Sequence, residues 1–566
     1  MYNLVEFFSG IGSQIKALRN LDQKVNLVGS SEWDVHAIIA YDLIHNGDDL
    51  DPDIADLSKE QVLQMLEPYT FSNTGKCPLA FSSLKTYSLE VLQHLYMSIR
   101  RNHNFVDISS VDGTTLPPDI DILTYSFPCQ DLSNVGAFHG YNKGIDKDSG
   151  SRSSLLWQVG RILSEMKEGN IPLPRFLLME NVPTLLSERH FTNFSTWIGD
   201  LRQLGYVSKY YQLNAADFGL PQNRPRLLMI SVYVGNDTGK MDLALDYFRI
   251  KDEAYVVQDY HRSRFFHQYM VQDLLRTNYT NPKIFNEALE STPNDTVSRR
   301  KIWEDNLQIV LPGNQFNQEI DVIRTITTKQ DRNPNSGNLY FESGVAGKSH
   351  FRYLTPRECL LFMGFSDEDF RKLKYNNLEF HKGDALFARD KVIRMAGNSI
   401  PVKMLEGIFY QIIQIDRIFK EYAEHSFFET CEVSEKKRYA KKITKHFFHR
   451  KIRCRHPGGQ YPDTPDIIFP AYKAAIFIHD CFQHGHECED QYNPDIHSKF
   501  WEQRIARIKE DDAAKYNELR MRGWKVLVVW KCELQNDRIT DTLLKIEDWL
   551  RNRCRKGTPE KQEKFA

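Results

Sequence analysis

Four places in the chain hold residue types that do chemistry, at spacings that chemistry could use. Cys481, His486 and Cys488 have the close spacing of a tetrahedral zinc site, and Cys532, just after an apolar strand pattern at 525–530, is a natural fourth ligand. Three thiolates and one imidazole with no open position describe a structural ion; the alternative is a chance cluster of thiols. Asp466, at the start of one strand pattern, and His479 and His484, beside the next, form a separate set. An acid can hold Mg2+ against a scissile phosphate while imidazoles activate water or stabilise a leaving group, although such histidines are as often bystanders of a zinc site. Cys129 stands in Phe127-Pro128-Cys129-Gln130, just past a strand pattern at 120–125, as either an inert buried thiol or a nucleophile at the carboxyl edge of a sheet. The turn Ser9-Gly10-Ile11-Gly12-Ser13 between a strand and a helix pattern suits a nucleotide or adenosyl cofactor, because its backbone amides can approach one closely. Glu32, about 20 residues further on, is placed to accept from both ribose hydroxyls or to end a strand in solvent.

These groups need a scaffold. Short apolar strand patterns recur at 3–8, 26–30, 120–125, 176–179 and 227–232, with helical patterns such as 154–167 and 194–204 between them. That alternation predicts an α/β fold built on a mostly parallel, doubly wound sheet. Two stretches interrupt it: 44–104, with helical patches at 62–66 and 89–99, and the polar, aromatic-rich 235–349, long enough to read a substrate. A closing helix is expected over 409–428, after which residues 434–456 carry ten Lys/Arg and a single acid, Glu435. The expected domains are a catalytic one at 1–234 and 350–424 with 235–349 inserted, a linker at 425–435, a second domain at 436–556 and a polar tail at 557–566.

A chain of 566 residues, 41% hydrophobic and 26% charged, is neither disordered nor limited to one core. With 73 basic residues against 75 acidic ones, the formal charge of -2 requires that any nucleic acid be held by local basic surfaces. Nine cysteines exclude a disulfide scaffold. The apolar runs are too short to span a bilayer, and the N-terminus lacks the pattern of a signal peptide. A soluble intracellular protein without a membrane partner is expected.

The motifs FSGIG, SSEWD, SFPCQDLS, MENV, QNRPR, LTPRECLLFMGF and GNSI follow one another in an order that resembles the DNA cytosine-5 methyltransferases over residues 1–420. The resemblance implies a Rossmann-like sheet that binds S-adenosyl-L-methionine, and a target-recognition region at 235–349 that grips double-stranded DNA while the cytosine is flipped out. It makes Cys129 the thiolate that adds to carbon 6 and Glu180 the carboxyl group that bonds and protonates the N3 edge. Arg226, with Arg224 beside it, would steady the flipped base and the active-site loop. Phe8, Gly10, Gly12, Glu32, Trp33, Asp107 and Asn398 would line the cofactor pocket, with Asp107 facing the adenine amine. Ser13 replaces a common glycine, and the 44–104 insertion is expected to pack outside the pocket rather than cap it.

Residues 434–549, with IFIHDCFQHGHEC, WEQRIARIKEDD and GWKVLVVWKCEL, are similar to the very-short-patch repair endonucleases of the PD-(D/E)XK-like class, which nick beside T:G mismatches. This implies that Asp466 is the Mg2+ ligand and that His479 and His484 are catalytic; a glutamate on an N-terminal helix is also implied, and Glu435 is the only acid in the basic run, without a register that assigns it the role. Ile478 and Gln483 depart from the usual threonine and tryptophan, and the second change removes an aromatic wedge. The expected whole is a bacterial, cytoplasmic, nucleoid-associated methyltransferase that uses S-adenosyl-L-methionine and carries a Vsr-like nickase with structural zinc and Mg2+. No obligate protein partner is expected. The alternatives are a single-chain restriction-modification enzyme and a silent zinc clamp on DNA; tRNA methylation fits the front motifs but not the reading insertion or the tail.

Overall fold

The main sheet is built around central strands whose apolar residues are covered on both faces. It comprises β1 (Tyr2–Phe7), β2 (Val25–Ser31), β3 (Ile122–Tyr125), β4 (Phe176–Asn181), β5 (Tyr206–Asn214) and, after the two-residue β6 (Gln222–Asn223), β7 (Pro225–Tyr233). This computed structural model describes residues 1–128, 152–309, 321–330, 336–381, 383–456, 465–488, 498–535 and 538–551, and at 152, 424–435 and 498–499 the backbone alone. The strand order is β2-β1-β3-β4-β7-β5. β1 pairs in parallel with β2 and β3, and β3 with β4, whereas β7 runs antiparallel to both β4 and β5. The mixed α/β fold with a central, mostly parallel sheet is therefore present. β5 is an additional strand; its pattern of half-buried polar and aromatic residues lacks the continuous apolar run that marks the others.

Ser31, Phe7, Tyr125 and Met179 lie in one row across the sheet at the carboxyl ends of β2, β1, β3 and β4. The order reverses between β1 and β3, so the loops diverging from that row leave the crevice in which open α/β sheets hold ligands. One face of the sheet packs on the helices Leu156–Glu168 and Glu188–Leu204 through Leu163, Phe194 and Trp197. The 44–104 segment forms helices Pro52–Ala55, Lys59–Leu66, Phe81–Leu84 and Leu89–Arg101. Later come the short strands β8 (Gln308–Ile309), β9 (Ile323–Arg324), β10 (Asn338–Tyr340), β11 (Phe351–Arg352), β12 (Glu379–His381) and β13 (Asp384–Ala385). They pair as β11-β10-β8, β6-β9 and β12-β13.

The chain divides into two compact units, Met1–Gln414 and Ile415–Ala566. The helix expected at 409–428 runs from Val402 to His449, so the backbone of 425–435, expected as a linker, is helical. In the second unit β14 (Ile467–Phe469) pairs antiparallel with β15 (Ala474–His479), which pairs in parallel with β16 (Lys525–Trp530). Helix Ser498–Met521 makes the crossover that a parallel pair requires. Ile443, Phe447, Phe469, Ile476 and Ile546 fill one side of this small sheet, and Phe477 and Leu519 the other. Among the described residues no helix is long and apolar enough to cross a membrane.

Candidate active sites

The glycine-rich turn after β1 holds left-handed backbone at Phe8 (φ 58°), Gly10 (φ 55°) and Gly12 (φ 77°). At Gly12 glycine is obligatory twice over, because a Cβ would also sit 2.3 Å from Nε2 of His45. Beneath the turn Glu6, fully buried in β1, accepts from the Ile15 backbone amide at 3.0 Å and from the Tyr41 hydroxyl, and so fixes the start of helix Ser13–Asn20. Burial raises the Glu6 carboxyl to about 7 against those two hydrogen bonds. Glu32, immediately after β2, accepts from the amides of Gly10 (3.0 Å), Trp33 (2.9 Å) and Asp34 (2.9 Å). Its carboxyl is raised to about 7, chiefly by burial and then by the Asp34 charge. Three of its roughly four acceptor positions are therefore taken by backbone.

Around Gly10 the space a Cβ would enter is open to 4 Å, which leaves room for a ligand against the turn. Asp107 is half-buried and accepts from the Ser109 amide at 2.9 Å, capping the short turn Ile108–Ser110. Trp33 is half-buried, and Asn398 is exposed at the end of helix Arg389–Asn398.

Cys129 lies outside the described residues, but the segment leading to it is anchored at three points. Ser126 donates to the Phe8 carbonyl at 3.3 Å, Asn181 to the Phe127 carbonyl at 3.0 Å and Ser153 to the Pro128 carbonyl at 2.6 Å. Asn181 ends β4, so the carboxyl neighbour before it, Glu180, shares this edge. Nε of Arg226 on β7 lies 2.9 Å from Oε1 of Glu180, with both side chains nearly buried. Burial raises the Glu180 carboxyl above its ordinary value, and Arg226 and then Arg224 oppose the rise.

Arg224, expected to work beside Arg226, directs its guanidinium elsewhere. Only 1% exposed, it donates to the carbonyl oxygens of Ile326 (2.7 Å), Gly397 (2.8 Å) and Ser399 (2.8 Å). Gln222 does the same, donating to the Phe362 carbonyl and accepting from the Ile326 amide. Two residues of the QNRPR motif thus tie together three loops, a role that their types alone did not disclose.

In the second unit Asp466 precedes β14 and accepts from the Ile478 amide at 2.7 Å; Nζ of Lys436 lies 3.3 Å from the same carboxylate oxygen. His479 ends β15, and its ring stacks on that of His484 with centroids 3.7 Å apart. Two further residues belong to this cluster. Asp512 lies 2.6 Å from Nδ1 of His484, and the Tyr516 hydroxyl bonds Nε2 of His479. Both are on helix Ser498–Met521, one turn apart and therefore on one face. Burial, then His484, Lys436 and Lys515, press the His479 imidazole down to about 2, which leaves it neutral. His484 is lowered by burial while Asp512 holds it up.

Cys481, His486, Cys488 and Cys532 bring their donor atoms within 4.8 Å of one another. Sγ of Cys532 lies 3.6 Å from Nδ1 of His486. That is close to the edge of about 3.5 Å that tetrahedral bonds of about 2.3 Å to sulfur and 2.0 Å to nitrogen would give. The His486 ring stacks on Trp530 with centroids 4.3 Å apart.

Two sites of such different chemistry describe a protein with two enzymatic parts, and comparison with known proteins gives each a family. The chain belongs to the C-5 cytosine-specific DNA methylases, whose family model matches residues 69–414, and a second model, DNA mismatch endonuclease Vsr, matches residues 425–490. The type II methyltransferase M2.ScrFI of Lactococcus lactis subsp. cremoris is 30% identical over 422 residues, covering 73% of this chain and 99% of that protein. The orphan methyltransferase M.SssI of Spiroplasma monobiae is 31% identical, covering 72% and 96%. In the tail, the type II nicking enzyme V.NmeAIP of Neisseria meningitidis is 38% identical over 97 residues, covering 17% of this chain and 69% of that protein.

Proposed function

We propose that this chain methylates carbon 5 of a cytosine flipped out of double-stranded DNA and that its C-terminal unit nicks DNA at the T:G mismatches left when 5-methylcytosine deaminates. The observation that carries the first activity is Glu180, a raised carboxyl group paired to Arg226 on the sheet edge that also anchors the segment leading to Cys129. Cytosine is a poor carbon nucleophile. Addition of the Cys129 thiolate to carbon 6 moves electron density towards N3 and carbon 5; Glu180 holds and protonates the N3 edge, and Arg226 fixes the carboxyl group in place. Loss of the carbon-5 proton and departure of the thiolate restore the ring. S-adenosyl-L-methionine supplies the methyl group when bound, and Phe8, Gly10, Gly12, Glu32, Trp33, Asp107 and Asn398 are the residues that would hold it. The open space at Gly10 and the acceptor position left free on the half-buried carboxylate of Glu32 fit such a ligand.

For the second activity, Asp466 is the proposed Mg2+ ligand, and Lys436 marks the place beside it that a cation favours. Glu435, the neighbour of Lys436 in the chain, is the proposed second carboxylate. His479 and His484 act on the water and leaving group, with Asp512 orienting His484. Cys481, His486, Cys488 and Cys532 hold a structural Zn2+, and the unit is of the PD-(D/E)XK-like class. Incubating the protein and Mg2+ with matched, T:G-mismatched and methylated duplexes tests this reading, which expects a nick in the mismatched duplex alone. Gln483, where an aromatic wedge would stand, favours one second reading, restriction, which would instead cut both strands of unmethylated DNA.

A further inference from the structure

The 44–104 segment does not pack away from the cofactor side of the sheet; it grips the loop that carries Glu32. Asn104 accepts from the Glu32 amide and donates to the Glu32 carbonyl, both at 3.0 Å. Ser72 donates its amide to the Trp33 carbonyl at 2.8 Å and accepts from the Val35 amide at 2.9 Å, forming a parallel bridge with Asp34. Ser72 is fully buried, and its hydroxyl organises the 72–77 turn by donating to the Cys77 carbonyl at 2.7 Å and accepting from the Gly75 amide at 3.0 Å. The Tyr87 hydroxyl holds Asn73 through a 2.6 Å bond to its Oδ1.

One side chain closes this arrangement. Arg394, on the helix that ends at Asn398, places Nη2 2.7 Å from Oδ2 of Asp34 and Nη1 2.8 Å from the Asn73 carbonyl. The other Asp34 oxygen caps helix Val35–His45, accepting from the His36 amide. A planar guanidinium is the group that can meet two acceptors on two segments at once.

We propose that Arg394 is a positioning residue for cofactor binding: with the 72–75 turn it straps the Glu32–Trp33 loop to the helix bearing Asn398 and so holds both sides of the S-adenosylmethionine pocket in register. This rests on reading that pocket as the cofactor's. The test uses the full-length protein and titration calorimetry with S-adenosylmethionine. Arg394→Met is expected to raise Kd about tenfold, with kcat at saturating cofactor and the KM for DNA within about twofold of wild type. Arg394→Lys, which keeps the charge but meets only one acceptor, is expected to fall between the two. Should Arg394→Met fail to fold, Tyr87→Phe, which frees Asn73 and leaves Arg394 intact, is expected to weaken binding about threefold. A folded Arg394→Met protein with wild-type Kd, or one whose kcat falls while Kd is unchanged, overturns the proposal. Wild-type protein that binds no S-adenosylmethionine would overturn the pocket assignment instead.

Discussion

Burial at the end of β4 raises the Glu180 carboxyl while Arg226 and Arg224 draw it back, a direction that suits the proposed transfer of its proton to the N3 edge of cytosine. Glu180→Gln keeps a hydrogen-bond donor but cannot pass a proton; methyl transfer is expected to fall about 100-fold with the Kd for S-adenosylmethionine unchanged, and transfer near the wild-type rate would refute the role. Glu6 gives a second expectation, on stability. Its pKa is raised from 4.5 to about 7, so the folded state binds this proton more tightly than the unfolded chain does. The resulting stabilisation, about 3 kcal/mol, is complete below pH 4.5 and lost as pH rises through 7. Glu6→Gln should flatten that slope in urea titrations between pH 5 and about 8; an unaltered slope would assign it elsewhere. The positions of Glu32 and Glu180 at strand ends were legible in the sequence, as Glu32 follows β2 and Glu180 lies near the end of β4. Arg224 was not, because a guanidinium serves a ligand and a backbone carbonyl equally well and only the fold chooses.

Among the elements, β1, β3, β4 and β7 were legible because strands covered on both faces are written as apolar runs. β5 has a single partner, β7, at the sheet's edge, where half-exposed lysine and tyrosine suffice and blur the signal. The 44–104 segment is legible as helical, but nothing in its composition announces that Ser72 and Asn104 bond the Glu32 loop. Asp512 and Tyr516 were hidden for a related reason: they sit in the acidic and basic run of helix Ser498–Met521, which reads as a solvated face until β15 brings the two histidines against it. Asp512→Asn is expected to slow nicking about 100-fold and leave methyl transfer intact. Equal nicking by the variant would leave His484 without need of its carboxylate.

At the scale of the whole molecule a formal charge of -2 conceals local basic surface, for Lys437, Arg438, Lys441, Lys442 and Lys445 are all exposed on the helix that enters the second unit. That unit has a small three-stranded sheet and a four-donor cysteine-histidine cluster. Cys481→Ser should therefore release zinc and unfold it, since structural zinc contributes folding free energy. Methyl transfer by the first unit should persist; full zinc content and unchanged melting would show that the cluster binds no structural ion. The proposed methyl transfer requires a covalent bond between Cys129 and the cytosine ring. A duplex carrying 5-fluorocytosine in the recognised site tests it most directly, because fluorine blocks the final loss from carbon 5 and leaves the adduct in place. Mass spectrometry after incubation with S-adenosylmethionine should find DNA on the Cys129 peptide and none in Cys129→Ser. Methylation of ordinary DNA by Cys129→Ser, or an adduct on another residue, would contradict the account.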